Sequence, residues 1–301
     1  MTIGHYIKDI GRGKEGARDI TREQASDLMG QILDGQVSDL ELGAFCIAMR
    51  IKGESVQEML GFLDAIRQRM ATFRAQAVAP VVVLPSYNGA RKLPLLTPLL
   101  ALLVARQGLP VLIHGANTES ARVSTQNVLS ALEITARPAT DSIANGEVRF
   151  VPTSAIHPQL QHLLEVRNTL GLRNSAHSLV KLLAPCTGAH VLVTSYTHPE
   201  YADSMAATLQ ALGSTALLLR GTEGEAVADA RRCPRMQGIH LGSCEELQAR
   251  QEGSLAQLPE LPADITPEST ARYTRAVLAG ELPIPEPVAC QLRHIVALAA
   301  R

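Results

Sequence analysis

The sequence predicts an α/β protein with a small all-helical N-terminal domain and an α/β domain that has a mainly parallel central sheet. Capped amphipathic helices follow one another up to about residue 70. Short β-branched strands then alternate with helices, which indicates parallel strands joined by right-handed crossovers. A second helical stretch interrupts this alternation. We therefore assign residues 1–75 with 158–186 to the helical domain, and residues 76–157 with 187–301 to the α/β domain.

Capping signals mark three helices of the N-terminal domain. Thr21, Ser38 and Ser55 each precede an apolar stripe, and a Glu or Gln follows each of them three residues later. That side chain can reach back to the cap, as in a capping box. The middle helix carries the apolar residues Leu42, Phe45 and Met49. The short unit has more apolar positions than its own core needs, so we expect a homodimer formed through this face or its neighbours.

Short apolar runs and the helices between them predict the α/β domain. The first run is β-branched and ends at Pro85, as expected for a buried strand. The elements predicted in chain order are a strand over 77–84, a helix over 97–107, a strand over 109–114, a helix over 127–133, a strand over 189–194, a helix over 201–212 and a strand over 216–220.

Composition limits the classes of protein to be considered. The chain is 46% hydrophobic and 19% charged, as globular proteins are, and only 3% aromatic, which argues against a base-stacking platform. The N-terminus lacks an apolar h-region, and the longest apolar run, residues 93–105, is too short to span a bilayer. Five scattered cysteines fit a reducing compartment. We expect a cytoplasmic protein with no membrane partner.

The net charge of -1 conceals a local asymmetry. Residues 65–132 hold seven bases and one acid, whereas residues 245–268 hold six acids and one base. A local basic excess can bind phosphate groups even when the whole chain is nearly neutral. Because like charge repels a phosphate backbone, we expect the acidic segment to lie away from any such surface. Scattered solvated charges are the other interpretation of the basic residues.

Other catalytic and metal-binding patterns are weak. His157 and His162 are five residues apart, a poor spacing for two ligands on one helix, and the cysteines and histidines show no zinc spacing. Ser195 and His198 follow a predicted strand, but the Gly-x-Ser-x-Gly motif of a nucleophile elbow is missing. We therefore expect neither a metal nor a cofactor.

Three segments resemble the anthranilate phosphoribosyltransferase family, which shares the glycosyltransferase family three fold with nucleoside phosphorylases. Residues 20–55 (ITREQASDLMGQILDGQVSDLELGAFCIAMRIKGES) are similar to that family's N-terminal helices. Residues 157–173 resemble its HP…VR..LG.R segment, and residues 212–224 (LGSTALLLRGTEG) its LG…VVHG.DG segment. The resemblance extends from about residue 19 to residue 232. It implies the fold predicted above and a dimer interface in the helical domain.

The segments that carry the family's chemistry are altered. The resemblance implies a Gly-Thr-Gly-Gly-Asp loop for pyrophosphate, but residues 85–92 read PSYNGARK. Ala226 and Val227 replace the Asp-Glu pair that holds magnesium. Glu223 and Glu225 are the alternative metal ligands, although octahedral magnesium tolerates little misplacement. The remnant of the donor site consists of Asn88, Gly89, His114 and Gly115. We expect no catalytic residue among them.

The remaining basic residues indicate a different function. The YNGARK loop and the RGTEGE stretch resemble the YbiB-type branch of the family, whose members are described as homodimers that bind nucleic acid without sequence preference. The resemblance implies the same here, for DNA or RNA, with a glycosyl- or phosphoribosyltransferase of altered substrate as the alternative. Arg173 also matches the family's acceptor-binding arginine. The expected phosphate contacts are Arg91, Lys92, Ser120, Arg122, Arg173, Arg220, Arg231, Arg232 and Arg235.

Overall fold

The computed structural model describes residues 2–13, 15–74, 79–117, 121–135 and 142–301. The contacts divide the chain into two compact units. The helical unit consists of Met1–Ala71 and Thr153–Pro185, and the α/β unit of Thr72–Pro152 and Cys186–Arg301. The boundaries expected from the sequence lie within five residues of these.

The two units contain helices and strands that we number in chain order. They are α1 (Gly4–Ile10), α2 (Arg22–Leu33), α3 (Asp39–Lys52), α4 (Val56–Arg69), β1 (Phe73–Arg74), β2 (Val81–Ser86), α5 (Thr97–Ala105), β3 (Val111–Gly115), α6 (Thr125–Ala131), β4 (Val148–Pro152), α7 (Thr153–Ile156), α8 (Pro158–Leu170), α9 (Ala176–Leu179), β5 (Cys186–Thr187), β6 (His190–Tyr196), α10 (Glu200–Ala211), β7 (Ala216–Arg220), β8 (Met236–His240), β9 (Ser243–Gln248), α11 (Pro267–Ala279) and α12 (Glu286–Ala299).

The three predicted capping boxes are confirmed in the helical unit. Thr21, Ser38 and Ser55 each accept a hydrogen bond from the backbone N–H three residues on, and the Gln or Glu there accepts from the cap's own N–H. Each box satisfies two of the donors that a helix N-terminus leaves without a partner. None of the described helices is long and apolar enough to cross a membrane.

The apolar face of α3 lies in the core of the helical unit. Phe45 and Met49 are fully buried and Leu42 is nearly so. The ring of Phe45 meets that of Phe62 on α4 edge-on, with 5.8 Å between centroids. Because the same chain covers Leu42, Phe45 and Met49, these residues cannot form a homodimer interface, and the expectation applies only to the neighbouring residues. The large apolar side chains that α3 leaves exposed are Leu40 and Ile51.

A seven-stranded sheet organises the α/β unit, in the order β4-β3-β2-β6-β7-β8-β9. The pairs from β4 through β7 are parallel, whereas β8 is antiparallel to both β7 and β9. The predicted mainly parallel sheet is confirmed, with α5 and α12 among the helices that pack in its apolar core. The hairpin of β8 and β9 was not predicted, because Met236–His240 and Ser243–Gln248 lack a β-branched run.

Strand β2 continues past Pro85, where the sequence predicted its end. Pro85 pairs with His114 of β3, and Ser86 with Gly115. Pairing with β6 stops at Val83, so the last residues of β2 have a neighbour on one side only. Proline has no backbone N–H to donate. It is tolerated at this position because such a donor is required only where a strand is hydrogen-bonded on both sides. The extension leads directly into the loop between β2 and α5.

Candidate functional site

The loop between β2 and α5 leaves the carboxyl end of a central parallel strand. Ligands of open α/β sheets bind at such ends, so a site is expected here. The N–H of Ala90 donates to the carbonyl oxygen of Val123 at 2.8 Å, and the N–H of Val123 donates back at 3.1 Å. Gly89 has φ +68°, and a Cβ there would meet the carbonyl oxygen of Val123 at 2.8 Å. These contacts fix the course of the loop.

The buried carboxylate of Glu225 accepts hydrogen bonds from this loop and its surroundings. One oxygen accepts from the backbone N–H groups of Asn88 at 2.7 Å and Gly89 at 2.8 Å. The other accepts from the hydroxyls of Ser86 at 2.5 Å and Thr97 at 3.3 Å. Glu225 is fully buried. A carboxylate can remain in such a place only because these donors replace its water shell.

A second carboxylate, that of Glu223, accepts hydrogen bonds from the next part of the loop. It accepts from the backbone N–H groups of Arg91 at 2.8 Å, Lys92 at 3.1 Å and Leu93 at 3.3 Å. Successive N–H groups that converge on one point form a concavity suited to anions. Glu223 is half-buried and has φ +53°, a left-handed backbone conformation that is uncommon outside glycine.

The donors of the loop are therefore engaged by carboxylates of the chain itself. The expected remnant residues Asn88 and Gly89 donate to Glu225, and the alternative metal ligands Glu223 and Glu225 both face the loop. Ala226 and Val227 are buried in the apolar core. Among the residues that the structure describes, no group of three or more His, Cys, Asp or Glu side chains could hold a metal ion.

The other two remnant residues, His114 and Gly115, serve the packing of β3 against β2. His114 is fully buried, and its Nδ1 lies 2.8 Å from the hydroxyl of Tyr87. A Cβ on Gly115 would clash with the carbonyl oxygen of Ser86. Tyr87 thus fills the space beside the histidine, and both residues are closed to solvent.

A basic cleft of about 610 Å³ lies in the α/β unit beside Glu223. It brings together five of the basic residues singled out from the sequence and one that the sequence reasoning missed, Arg250. Arg250 was missed because it is the only base of the acidic segment 245–268. The basic residues of the cleft are Lys92, Arg220, Arg231, Arg232, Arg235 and Arg250, and its acidic residues are Glu223 and Asp229.

Two of the arginines in the basic cleft are already paired. Arg231 donates through Nε and Nη2 to the two carboxylate oxygens of Asp229, both at 3.0 Å. Burial raises the pKa of Asp229, but the hydrogen bonds from Arg231 outweigh it and hold that pKa below its usual value. Arg235 donates to Glu246 of β9 at 2.5 Å. The expectation that the whole acidic segment lies away from the basic surface is therefore wrong, because β9 folds back beside β8.

The other four basic side chains of the cleft are not paired with a carboxylate among the described residues, so their charge can bind an anion. Within the described ranges, no carboxylate lies at ion-pair distance from Lys92, Arg220, Arg232 or Arg250. Lys92, Arg220 and Arg250 are exposed, and Arg232 is half-buried. Guanidinium groups on a concave surface are suited to phosphate, which they can bind through two parallel hydrogen bonds.

The remaining residues expected to contact phosphate do not line this cleft. Arg91 is exposed on the loop, and Arg122 donates to the carbonyl oxygen of Asn88 at 3.2 Å, so it supports the loop. Arg173 belongs to the helical unit, where its carbonyl oxygen accepts from Arg50. Ser120 lies outside the described residues.

Family models account for most of the chain. The model of the glycosyl transferase family helical bundle domain matches residues 5–70, and that of the family's a/b domain matches residues 95–280. The chain belongs to this glycosyl transferase family, as an anthranilate phosphoribosyltransferase-like member. The recognition made from the sequence is thereby confirmed.

Individual proteins similar in sequence to this chain support the same assignment. A protein of Escherichia coli K12 described as uncharacterized protein YbiB is 40% identical over 298 residues, which cover 97% of this chain and 92% of the relative. The anthranilate phosphoribosyltransferase of Methylocella silvestris is 29% identical over 279 residues, 90% of this chain and 79% of the enzyme. Both alignments span the helical and the α/β segments.

Solved structures of the family share the fold. The anthranilate phosphoribosyltransferase of Thermus thermophilus superposes with a TM-score of 0.74 at 23% identity, covering 97% of this chain and 92% of the other. The enzyme of Saccharomyces cerevisiae, solved in complex with PRPP and Mg, also has a TM-score of 0.74, at 16% identity, with 99% and 88% covered. At these identities the likeness concerns the fold alone.

The loop after β2 is where this chain differs from the pattern that the family resemblance implies. The resemblance implies a glycine-rich loop whose N–H groups are open to pyrophosphate. Here Glu223 and Glu225 accept from five of the loop's N–H groups. The family scaffold is present, and its expected anion-binding loop holds two anions supplied by the chain.

Proposed function

We propose that this chain is a non-catalytic protein that binds nucleic acid without base preference, as a homodimer, on a phosphoribosyltransferase scaffold. The observation that carries the proposal is the pairing of two features in the α/β unit. The amides of the loop are held by Glu223 and Glu225. In the adjoining basic cleft, four cations have no carboxylate at ion-pair distance among the residues that the structure describes.

The first feature argues against transfer from a phosphoribosyl diphosphate donor. A departing diphosphate needs preorganised donors or a metal ion to stabilise its developing charge. Here Glu225 occupies the N–H groups of Asn88 and Gly89 and cannot leave its buried position without uncovering four donors. A second anion placed there would be repelled by the first.

The second feature supports binding to a phosphate backbone. Arginine and lysine side chains release counterions when they neutralise phosphates, and this supplies most of the affinity in non-specific binding. Phosphate contacts carry no sequence information. Aromatic residues make up 3% of the chain, too few for extended stacking on bases. The expected binding is therefore electrostatic and indifferent to base sequence.

The decisive experiment is a titration of fluorescent random-sequence oligonucleotides, single- and double-stranded, followed by anisotropy at several salt concentrations. We expect micromolar or tighter binding in low salt, similar affinities for unrelated sequences, and a linear fall of log K with log salt. Arg91→Ala with Lys92→Ala should weaken binding uniformly and reduce the slope by about one to two. Affinity that is unchanged by salt, or no binding at micromolar protein, would refute the proposal.

A transferase of altered substrate is the second candidate, and the shared family with anthranilate phosphoribosyltransferases favours it. Its test is direct. The protein is incubated with phosphoribosyl diphosphate and magnesium, with anthranilate and with other aromatic acids or nucleobases as acceptors, and release of diphosphate is followed. We expect no release of diphosphate with any acceptor and no complementation of a tryptophan auxotroph that lacks the enzyme. Diphosphate release with any acceptor would replace the proposal by this candidate.

A further inference from the structure

The two carboxylates that hold the loop differ in how firmly they are placed. Glu225 is fully buried and accepts from two hydroxyls as well as two N–H groups. Glu223 is half-buried, and it lines the basic cleft together with Lys92 and Leu93, two of the residues whose N–H groups it accepts from. The N–H groups of Lys92 and Leu93 are therefore at the wall of the cleft, and that of Arg91 precedes them in the loop, with the carboxylate of Glu223 on all three.

We propose that these three N–H groups form a phosphate subsite of the basic cleft, which Glu223 closes until a phosphate group displaces it. The inference rests on the proposed function in one respect, since it takes the phosphate to be part of a nucleic acid. The subsite itself would accept any accessible phosphate group, and the tests below separate the two sources.

The exchange is chemically balanced, because one anion replaces another on the same donors. The phosphate oxygens take over the hydrogen bonds from Arg91, Lys92 and Leu93. The carboxylate of Glu223 moves toward the solvent, where water replaces its lost partners. Glu225 cannot exchange in this way, since its removal would leave buried donors without water.

The surroundings of the subsite favour phosphate over carboxylate. Lys92, Arg220 and Arg232 line the same cleft and have no carboxylate at ion-pair distance among the described residues. A phosphate group can bind the N–H groups and these side chains together, whereas the tethered carboxylate of Glu223 reaches the N–H groups only.

The first experiment measures the subsite directly, with inorganic phosphate as the probe. Backbone amide signals of the full-length protein are followed by NMR as phosphate is added to wild type, Glu223→Ala and Glu223→Gly. We expect the amides of Arg91, Lys92 and Leu93 to shift at lower phosphate concentration in both variants than in wild type, while that of Gly89 stays unchanged. A glycine also suits the positive φ at this position, so a folding defect confined to the alanine variant leaves the test intact.

The second experiment distinguishes an opened subsite from a simple loss of negative charge. Glu223→Gln removes the charge but keeps an oxygen that can accept from the three N–H groups, and Glu281→Ala removes the same charge at an exposed position outside the cleft. We expect Glu223→Ala to bind a single-stranded oligonucleotide about tenfold more tightly than wild type, Glu223→Gln about threefold, and Glu281→Ala equally.

The outcomes separate the two proposals. Equal gains for Glu223→Ala and Glu223→Gln, with no shift of the three amides, would show a charge effect only and overturn the subsite. Binding of oligonucleotide by wild type would survive that result, and with it the proposed function. Amide shifts with inorganic phosphate but no oligonucleotide binding by any variant would uphold the subsite for free phosphate and overturn the proposed function.

Discussion

The carboxylate of Glu225 accepts a hydrogen bond from the backbone N–H of Asn88 at 2.7 Å, across 137 residues of sequence. The bond joins the loop after β2 to the turn after β7, at the carboxyl edge of the sheet. The anion that the family resemblance implies at this loop is replaced here by a side chain of the protein. The part of the loop at Asn88 and Gly89 therefore has its N–H groups satisfied without a ligand.

Loss of this carboxylate should destabilise the α/β unit. We expect Glu225→Ala to lower the free energy of unfolding by about 3–5 kcal/mol, because four donors lose their acceptor in a buried place. Glu223→Ala, at a half-buried position, should cost only about 1 kcal/mol. Urea unfolding of the two variants and wild type measures both values. Equal losses would contradict the difference in burial on which the expectation rests.

Arginines with and without a carboxylate partner should contribute unequally to binding. Replacing Arg220 and Arg232 together by alanine should reduce the salt slope of oligonucleotide binding by about two, since each can neutralise one phosphate. Replacing Arg231 and Arg235 should change it by less than about one, because Asp229 and Glu246 already offset their charge.

The two double variants remove the same formal charge, so each serves as the other's control. Anisotropy at several salt concentrations gives the slopes. A larger effect from the pair Arg231 and Arg235 would show that phosphate displaces Asp229 and Glu246, contrary to the expectation.

A second copy of the chain is expected on the outer face of α3. Leu40 is 84% exposed and Ile51 is 59% exposed, and they lie eleven residues apart, which is about three helical turns on one face. Exposed apolar residues arranged in this way favour a self-complementary interface. Leu40→Glu with Ile51→Glu should convert the proposed homodimer into a monomer in light scattering. Leu258→Glu, at an apolar position of the α/β unit that is 55% exposed, should leave the mass unchanged.

Acid should weaken the helical unit through His177. Burial, aided by the nearby charge of Arg173, lowers the pKa of His177 to about 4, whereas an unfolded histidine titrates near 6.5. Between these values the unfolded chain binds the extra proton. Stability is therefore full above about pH 6.5 and falls as the pH drops toward 4, by roughly 2–3 kcal/mol.

Denaturant unfolding from pH 4 to pH 7 tests this expectation. His177→Gln should flatten the dependence, and His162→Gln, at an exposed position on α8, should not. A slope unchanged in His177→Gln would assign the acid sensitivity to other groups.

Short-range sequence patterns were sufficient to predict much of the fold. Ser38 and Glu41 are three residues apart, so their reciprocal hydrogen bonds could be predicted from the sequence. The same holds for β7, whose predicted and observed limits coincide. The hydrogen bonds that the N–H groups of Asn88 and Gly89 donate to Glu225 depend on the crossing of distant strands, and no short-range pattern encodes them. Arg250 was missed for the same reason, since its neighbours in sequence are acidic and its neighbours in space are basic.

The discontinuity of the helical unit has a consequence for synthesis of the chain. Helices α1 to α4 emerge first from the ribosome, and their capping boxes let them form early. Helix α8, which contacts α2, and helix α9, which contacts α4, are made only after β1 to β4. Part of the apolar surface of α1 to α4 therefore stays uncovered until about eighty residues of the other unit have been translated. At the usual rate of elongation this interval lasts about 4–16 seconds, during which a chaperone can bind the uncovered helices.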